Sequence, residues 1–573
     1  MEVTKIINNT KNSNMARKST ICTLLTIALI LAGGFRSKAC TNVIVTRGAS
    51  ADNSNMVSYA ADSHWLYGEL YFHPAANWKP GSMLQVNDWD SGKLLGSIPQ
   101  VLHTYKTVGN MNEYQLIIGE TTWGGREELM DPKAVMDYGS LIYIALQRAK
   151  TAREAIKVIV DLANEYGYAS EGESFSIADK DEAWVMDLIG KGPDNKGLFY
   201  VAIRIPDGYI CAHANQARIQ TFPQNDPENC IFSPEMISFA REKGYFSGKD
   251  EDFDFSAAFN PVDFGGARGC DARAWSAFNI LCDGKFTYEK DGKTVTEAAS
   301  DYYDYITGKN LSHRMPLFVK PARKITVKDV ADVMRDHFEG TPLDMTNDIG
   351  AGGNALPYRW RPMGFKYEGW EYTNERAIAT QQTGFWFVGQ ARHDLPDIVG
   401  GVIWFGTDDA ATSYLTPIYT NSDKVPECFR EGNGTLIKYS PTSSFWINNR
   451  ITNTCYRAYD MMAPVVRAAV DEFENAQMNG KLAEMDAKAL AAYTGSLKSE
   501  KKVRQMLTEY SVNTAQAQFE KWVALEEDIT VRFIDGNVKT INEDGTFKLT
   551  QPGYTEKWKE AVVKDHGDVV RKR

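Results

Sequence analysis

The stretch Thr41-Asn42-Val43-Ile44-Val45-Thr46 is rich in β-branched residues and predicts a buried strand with Cys40 at its head. Turn residues fill 48–55, and Met56-Val57-Ser58-Tyr59 begins a second strand, so the two form a hairpin. Between 135 and 166 the pattern becomes helical. Leu141, Ile144, Ala145, Leu146 and Ala149, then Ala155, Ile156, Val158, Ile159 and Leu162, recur near a period of about 3.6. Thr151-Ala152-Arg153-Glu154 supplies an N-cap with a glutamate three residues on, which predicts a second helix, and Gly167 ends it. Strands follow at 174–178, 183–188, 199–205 and 209–213, with turns at Asp179-Lys180-Asp181 and Pro206-Asp207-Gly208. Two more are expected at 384–388 and 401–405. From Tyr456 to about residue 527, Met461, Val465, Val466, Val470 and Phe473 lie among charged positions and predict helices. Sheets and helices occur in blocks, which favours an α+β or layered α/β/α fold over a doubly wound sheet.

The N-terminal segment has a different character. Met15-Ala16-Arg17-Lys18 precedes an apolar run from Ile21 to Ala32, and the exit reads Ser37-Lys38-Ala39-Cys40. A basic start, a short apolar run and small residues at Ser37 and Ala39 predict a secretory signal peptide over 1–39, cleaved after Ala39. The apolar run falls short of the ~20 residues a membrane span needs. Residues 1–14 are polar, unlike an ordinary leader start, so Met15 is an alternative first residue. Lipid anchoring at Cys40 is a rival reading of the same exit. It calls for an apolar residue three positions before the cysteine, where this chain has Ser37. The expected organisation is a leader over 1–39, a catalytic domain over 40–460 with helical insertions, and a mostly helical region over 461–573 packed on it. The product is expected in the periplasm or outside the cell, with no stable membrane span once the leader is gone.

Charge and cysteine usage narrow the function classes. A net charge of −11 without a Lys/Arg stripe argues against a nucleic-acid surface. Eight cysteines in 573 residues are too few for a disulfide scaffold, and none forms a C-x-x-C pair. Cys22 falls in the leader. Export permits bridges among Cys211, Cys230, Cys270, Cys282, Cys428 and Cys455, and sequence selects no pairing. No H-E-x-x-H or similar ligand spacing is present, so neither a metal nor another cofactor is expected.

The chemistry therefore centres on Cys40. A thiol has a pKa of ~8.5 and needs a base to become a nucleophile. Cleavage after Ala39 would give Cys40 its own base, the α-amine, with a reference pKa of ~7.7–8.0. No histidine is then required, and the eight histidines show no catalytic grouping.

Several phrases carry a resemblance that specifies the substrate. They include Cys40-Thr41-Asn42 through Asp62-Ser63, Gly109-Asn110-Met111-Asn112-Glu113 and Ile118-Gly119-Glu120-Thr121-Thr122-Trp123-Gly124-Gly125-Arg126-Glu127. Further along come Gly172-Glu173-Ser174-Phe175, Ala214-Asn215-Gln216-Ala217-Arg218 and Arg335-Asp336-His337-Phe338-Glu339-Gly340-Thr341-Pro342. In this order they resemble the dipeptidase A family of cysteine peptidases, to which secernins are related. The resemblance implies a four-layer αββα N-terminal-nucleophile fold and metal-free hydrolysis of dipeptides by Cys40. The substrates would be small peptides, and a homo-oligomer is left open. An amidase of the same fold, of the bile-salt or penicillin acylase type, is the nearest alternative. A surface lipoprotein anchored at Cys40 is a non-enzymatic one.

The wider superfamily implies roles for particular residues. Asp62 would hold the terminal amine, Asn215 would supply an oxyanion-hole amide, and Arg273 would lie beside the nucleophilic sulfur. Glu120 and Thr122 would line the substrate pocket, with Glu120 binding the substrate's α-ammonium. Read without the resemblance, Asp62 is a turn or capping aspartate, Asn215 an Asx-turn residue and Arg273 a surface arginine. One departure is visible: many relatives carry an arginine three residues before the aspartate, where this chain has Tyr59.

Overall fold

The computed structural model describes residues 40–572 apart from 194, 360 and 496–498; the predicted leader lies outside the described residues. Two large antiparallel sheets form the centre. The seven-stranded sheet runs Phe318–Val319, Ile210–His213, Thr41–Val45, Ser54–Asp62, Thr383–Arg392, Gly401–Thr407, Thr416–Tyr419. The eight-stranded sheet runs Cys230–Phe232, Leu198–Arg204, Ala183–Gly190, Gly172–Ala178, Ile117–Trp123, Met111–Asn112, Thr107–Val108, Phe72–His73.

Successive side chains on a strand point to opposite faces, and here both faces are buried. Ile44, Val57, Tyr59, Phe387 and Ile403 of one sheet share a core with Ile117, Val185 and Val201 of the other. The alternate residues Val43, Val45, Met56, Ala60, Trp386 and Trp404 pack outward, against Trp275 and Phe278 of the helix Ala272–Leu281 and against Val330. On the far side, Ile118, Ile177, Trp184 and Met186 pack against the helices Tyr138–Arg148 and Ala152–Tyr166. Double burial explains why these strands read as nearly continuous apolar runs. The molecule is thus a mixed α and β structure built on antiparallel sheets, with helices on the outer faces.

The local signals act as their chemistry requires. Thr151 caps its helix by accepting a hydrogen bond from the Glu154 amide, and Gly167 closes it at φ 80°. The 33-residue helix Glu500–Arg532 lies along the edge strand Thr416–Tyr419 and places Ala515, Phe519 and Trp522 in the intersheet core. Residues Ala39–Arg573 form one compact unit. Among the described residues no helix is long and apolar enough to cross a membrane, and the described cysteines are all unbridged.

Candidate active site

Cys40 precedes the strand Thr41–Val45, and the register pairing Thr41 with Ala60 sets it against the Ala61–Asp62 end of the neighbouring strand. A register shift between Ala61 and Asp62 takes that end out of the regular ladder. There the Asp62 backbone N–H faces the Cys40 sulfur and works to lower the thiol's pKa. The sulfur also lies 3.5 Å from Glu120 Oε1 and 3.8 Å from the Tyr59 hydroxyl, which donates to the same Glu120 oxygen.

Glu120 reaches Cys40 from the opposing sheet. Asn42 Nδ2 donates to the Glu120 carbonyl at 2.6 Å and ties the sheets together at this point. Gly119 makes the approach feasible, because a Cβ there would stand 2.4 Å from Asn42 Oδ1. Thr122 follows on the same strand, opposite Glu173 in the adjacent one. Its hydroxyl donates to Glu173 Oε1 at 2.7 Å and lies 3.4 Å from Glu120 Oε2. Two buried carboxylates therefore flank one hydroxyl close to the thiol.

Asn215 lies just beyond the strand Ile210–His213 with φ 57°, a left-handed conformation that asparagine tolerates well. Its Nδ2 donates to the Thr122 carbonyl at 2.6 Å, and its Oδ1 accepts from Arg273 Nη2 at 2.8 Å. Arg273 enters the helix Ala272–Leu281 directly after a π-helical turn at Gly266–Asp271. Its guanidinium is buried, not at the surface. Nη1 donates to the Cys40 carbonyl at 2.6 Å and to Thr41 Oγ1 at 2.9 Å, and Nε to the Gly269 carbonyl at 3.0 Å. The arginine expected beside the sulfur thus makes its hydrogen bonds to the backbone of the cysteine and to Asn215.

A ring of contacts runs from Cys40 through Glu120, Thr122, Asn215 and Arg273 back to Cys40, with Asp62 joined at the sulfur. All the predicted site residues come together. The Asp62 carboxylate is buried at the strand end, accepting from Arg376 and, at 2.6 Å, from Thr383 Oγ1. Arg376, Thr383 and Glu173 were missed as site residues by sequence reasoning. Glu173 stood in one of the resembling phrases and faces Thr122 only once the strands are in register.

Electrostatics favour the protonated form of the thiol. Burial first, then the charges of Glu120 and Asp62, push the Cys40 thiol well above its ordinary pKa. Burial also raises Asp62 to about 6, although Arg376 and Thr383 pull it down. Burial and the nearby Arg376 bring Arg273 down to about 10. Among the described residues no imidazole hydrogen-bonds the sulfur. His213, paired with Asn42 in the sheet, has its ring held between Thr121 Oγ1 and Ser176 Oγ, each at 2.7 Å, and burial lowers it to about 3. Among the described residues no group of acidic, histidine and cysteine side chains could hold a metal ion.

The site gathers a buried cysteine, carboxylates and guanidiniums, and the chain is similar in sequence to proteins named as dipeptidases. Residues 69–472 match the model of Peptidase family C69, and the chain belongs to that family. The matched segment contains Glu120, Thr122, Asn215 and Arg273, while Cys40 and Asp62 precede it. A probable dipeptidase of Latilactobacillus sakei is 23% identical over 481 residues, covering 80% of this chain and 90% of the relative. A probable dipeptidase of Salmonella dublin is 24% identical over 422 residues, covering 69% and 84%. A probable dipeptidase B of Lactococcus lactis is 24% identical over 429 residues, covering 72% and 80%.

Proposed function

We propose that this protein is an exported N-terminal-nucleophile hydrolase with a four-layer αββα fold, which cleaves dipeptides and other short peptides through Cys40. The observation that carries the reading is the position of Cys40: its sulfur lies at the centre of the polar cluster and, among the described residues, no histidine is bonded to it. Family membership and the relatives' names support the reaction class.

Release of Ala39 would turn the Cys40 nitrogen into a free amine, able to take the thiol proton. The thiolate then attacks the scissile carbonyl. Asn215 uses one N–H on the Thr122 carbonyl; an amide NH₂ carries two donors, and the second, which has no partner among the described residues, would serve the oxyanion. Such a donor contributes about 3 kcal/mol to the transition state. Arg273 fixes both the Cys40 carbonyl and the Asn215 side chain, so it positions nucleophile and oxyanion donor together. The protonated α-amine returns its proton to the leaving amine, and water hydrolyses the resulting thioester. Glu120, with Thr122 and Glu173 beside it, receives the substrate's α-ammonium. That cation also offsets the negative charge holding the thiol's pKa up.

The direct test is intact-mass analysis of protein purified from an exporting host, combined with turnover of a dipeptide panel. The expected mass is that of a chain beginning at Cys40, and the expected activity is release of free amino acids. A different N-terminus, a diacylglycerol adduct on Cys40, or no peptide turnover would overturn the proposal.

In this mechanism Asp62 must be ionised to hold the amine, so kcat/KM should fall on acidification as Asp62 takes up a proton. Its folded value of about 6 already includes the lowering by Arg376. Removing that guanidinium in Arg376→Met should therefore move the acid limb of the pH–rate profile upward by about 1–3 pH units. Arg376→Lys should restore part of the shift. An acid limb that stays in place in a folded Arg376→Met variant would show that Asp62 ionisation does not control turnover.

A further inference from the structure

The segment 361–383 brings several groups to the Asp62 end of the site. Arg376 pairs with the Asp62 carboxylate, Thr383 donates to it, and Gln382 Nε2 donates to the Asp62 carbonyl at 3.3 Å. Arg361 joins this group through Gln382, whose Oε1 accepts from its Nη2 at 2.6 Å, with Thr380 Oγ1 at 3.5 Å from the same nitrogen. Arg361 differs from Arg376 in two ways. It is exposed to solvent, and among the described residues its hydrogen bonds go to neutral side chains alone. Among the described residues Nε and Nη1 donate no hydrogen bond, and these are donors of the kind that grip a carboxylate.

Charges of opposite sign therefore lie at the two ends of one run of contacts through the site. Glu120, with Glu173 beside Thr122, meets the sulfur from the eight-stranded sheet, and at the Asp62 end Arg376 pairs with the Asp62 carboxylate while Arg361 is linked to the Asp62 carbonyl through Gln382. Burial first, then Arg361 and Arg376, lower the pKa of His64 nearby, which favours its neutral form. A free dipeptide has the matching pattern. Its ammonium lies within one residue before the scissile bond and its carboxylate within one residue after it, each residue spanning at most ~3.6 Å.

We propose that Arg361 binds the C-terminal carboxylate of the substrate and so restricts the site to short peptides whose C-terminus is free and adjacent to the cleaved bond. This rests on the reading of Cys40 as the peptidase nucleophile. With Glu120 at the other end, both termini of a dipeptide are recognised by charge. A longer peptide has a neutral amide at the position where the carboxylate would pair with Arg361.

The experiment compares a dipeptide with its own C-terminal amide, using the wild-type protein, Arg361→Gln and Arg361→Lys. Wild type should favour the free acid in kcat/KM. Arg361→Gln should lose about 10²-fold on the acid, mainly through KM, as expected for loss of a charge-assisted pair, and the acid-to-amide ratio should collapse toward unity. Arg361→Lys should keep an intermediate ratio. A parallel fall on both substrates would make Arg361 a mere support for Gln382 and overturn the proposal, as would an unchanged ratio. Wild type that cleaves both substrates equally well would overturn it while leaving the peptidase reading intact. Wild type that cleaves neither would overturn that reading and this proposal with it.

Discussion

Replacing Cys40 by alanine is expected to abolish peptide hydrolysis, lowering kcat by about 10⁴–10⁶-fold, the scale on which removal of a covalent nucleophile acts. The fold should survive. Cys40 is buried but small, and its side chain behaves as a minor apolar contributor, so the cost should be about 1 kcal/mol. The contacts that shape the site depend little on the sulfur: Arg273 binds the Cys40 carbonyl, and Asn42 binds the Glu120 carbonyl. Thermal unfolding should therefore shift by only a few degrees while turnover disappears. Cys40→Ser should retain a trace, because a hydroxyl is far harder to deprotonate than a thiol. Turnover unchanged in the alanine variant would assign the reaction to another group.

The hairpin that carries Cys40 and Asp62 was readable because its apolar runs are long and its turn carries the expected residues, whereas the strand Ile117–Trp123, which bears Glu120 and Thr122, was not among the expected strands. The sequence places Cys40 and Asp62 at the same end of one hairpin, so their proximity needs only local pairing. Glu120 required a further step, the stacking of two sheets, which periodicity does not encode. Arg376 could not be inferred at all: it lies 314 residues from Asp62 and no local pattern marks it. The phrase Arg335-Asp336-His337 was legible as a motif but not in its role. Asp336 accepts from Ser276 on the helix that bears Arg273, and Arg335 forms a buried pair with Glu474 of the helix Tyr459–Ala476. These residues hold elements in place around the site.

Small hairpins were missed for a different reason. Lys285–Lys290 and Lys293–Ala298 are mostly polar on both faces, so neither shows the alternation that identifies a strand. Their connection at Asp291-Gly292 has φ of 51° and 71°, the geometry that Asp-Gly favours in a two-residue turn. Gly364–Tyr367 and Trp370–Thr373 form a similar exposed pair. This hairpin lies in the chain between Arg361 and Arg376, the two cations linked to Asp62.

A form that keeps Ala39 in front of Cys40 should be silent, with kcat/KM down by at least the 10²–10⁴-fold typical of a lost general base. In such a chain the nitrogen of Cys40 is an amide and accepts no proton. The thiol then remains where burial, Glu120 and Asp62 hold it, well above its ordinary pKa. No histidine among the described residues is bonded to the sulfur to take the proton instead, since His213 is committed to Thr121 and Ser176. Asp62 also loses the ammonium assigned to it and keeps its bonds from Arg376 and Thr383. One added residue at a chain terminus should cost little global stability, so loss of activity would not reflect unfolding. The control is removal of Ala39 by an aminopeptidase, followed by mass, which should restore turnover in step with the exposed cysteine. Full activity with Ala39 still attached would refute the α-amine as base, even if Cys40→Ala is inactive.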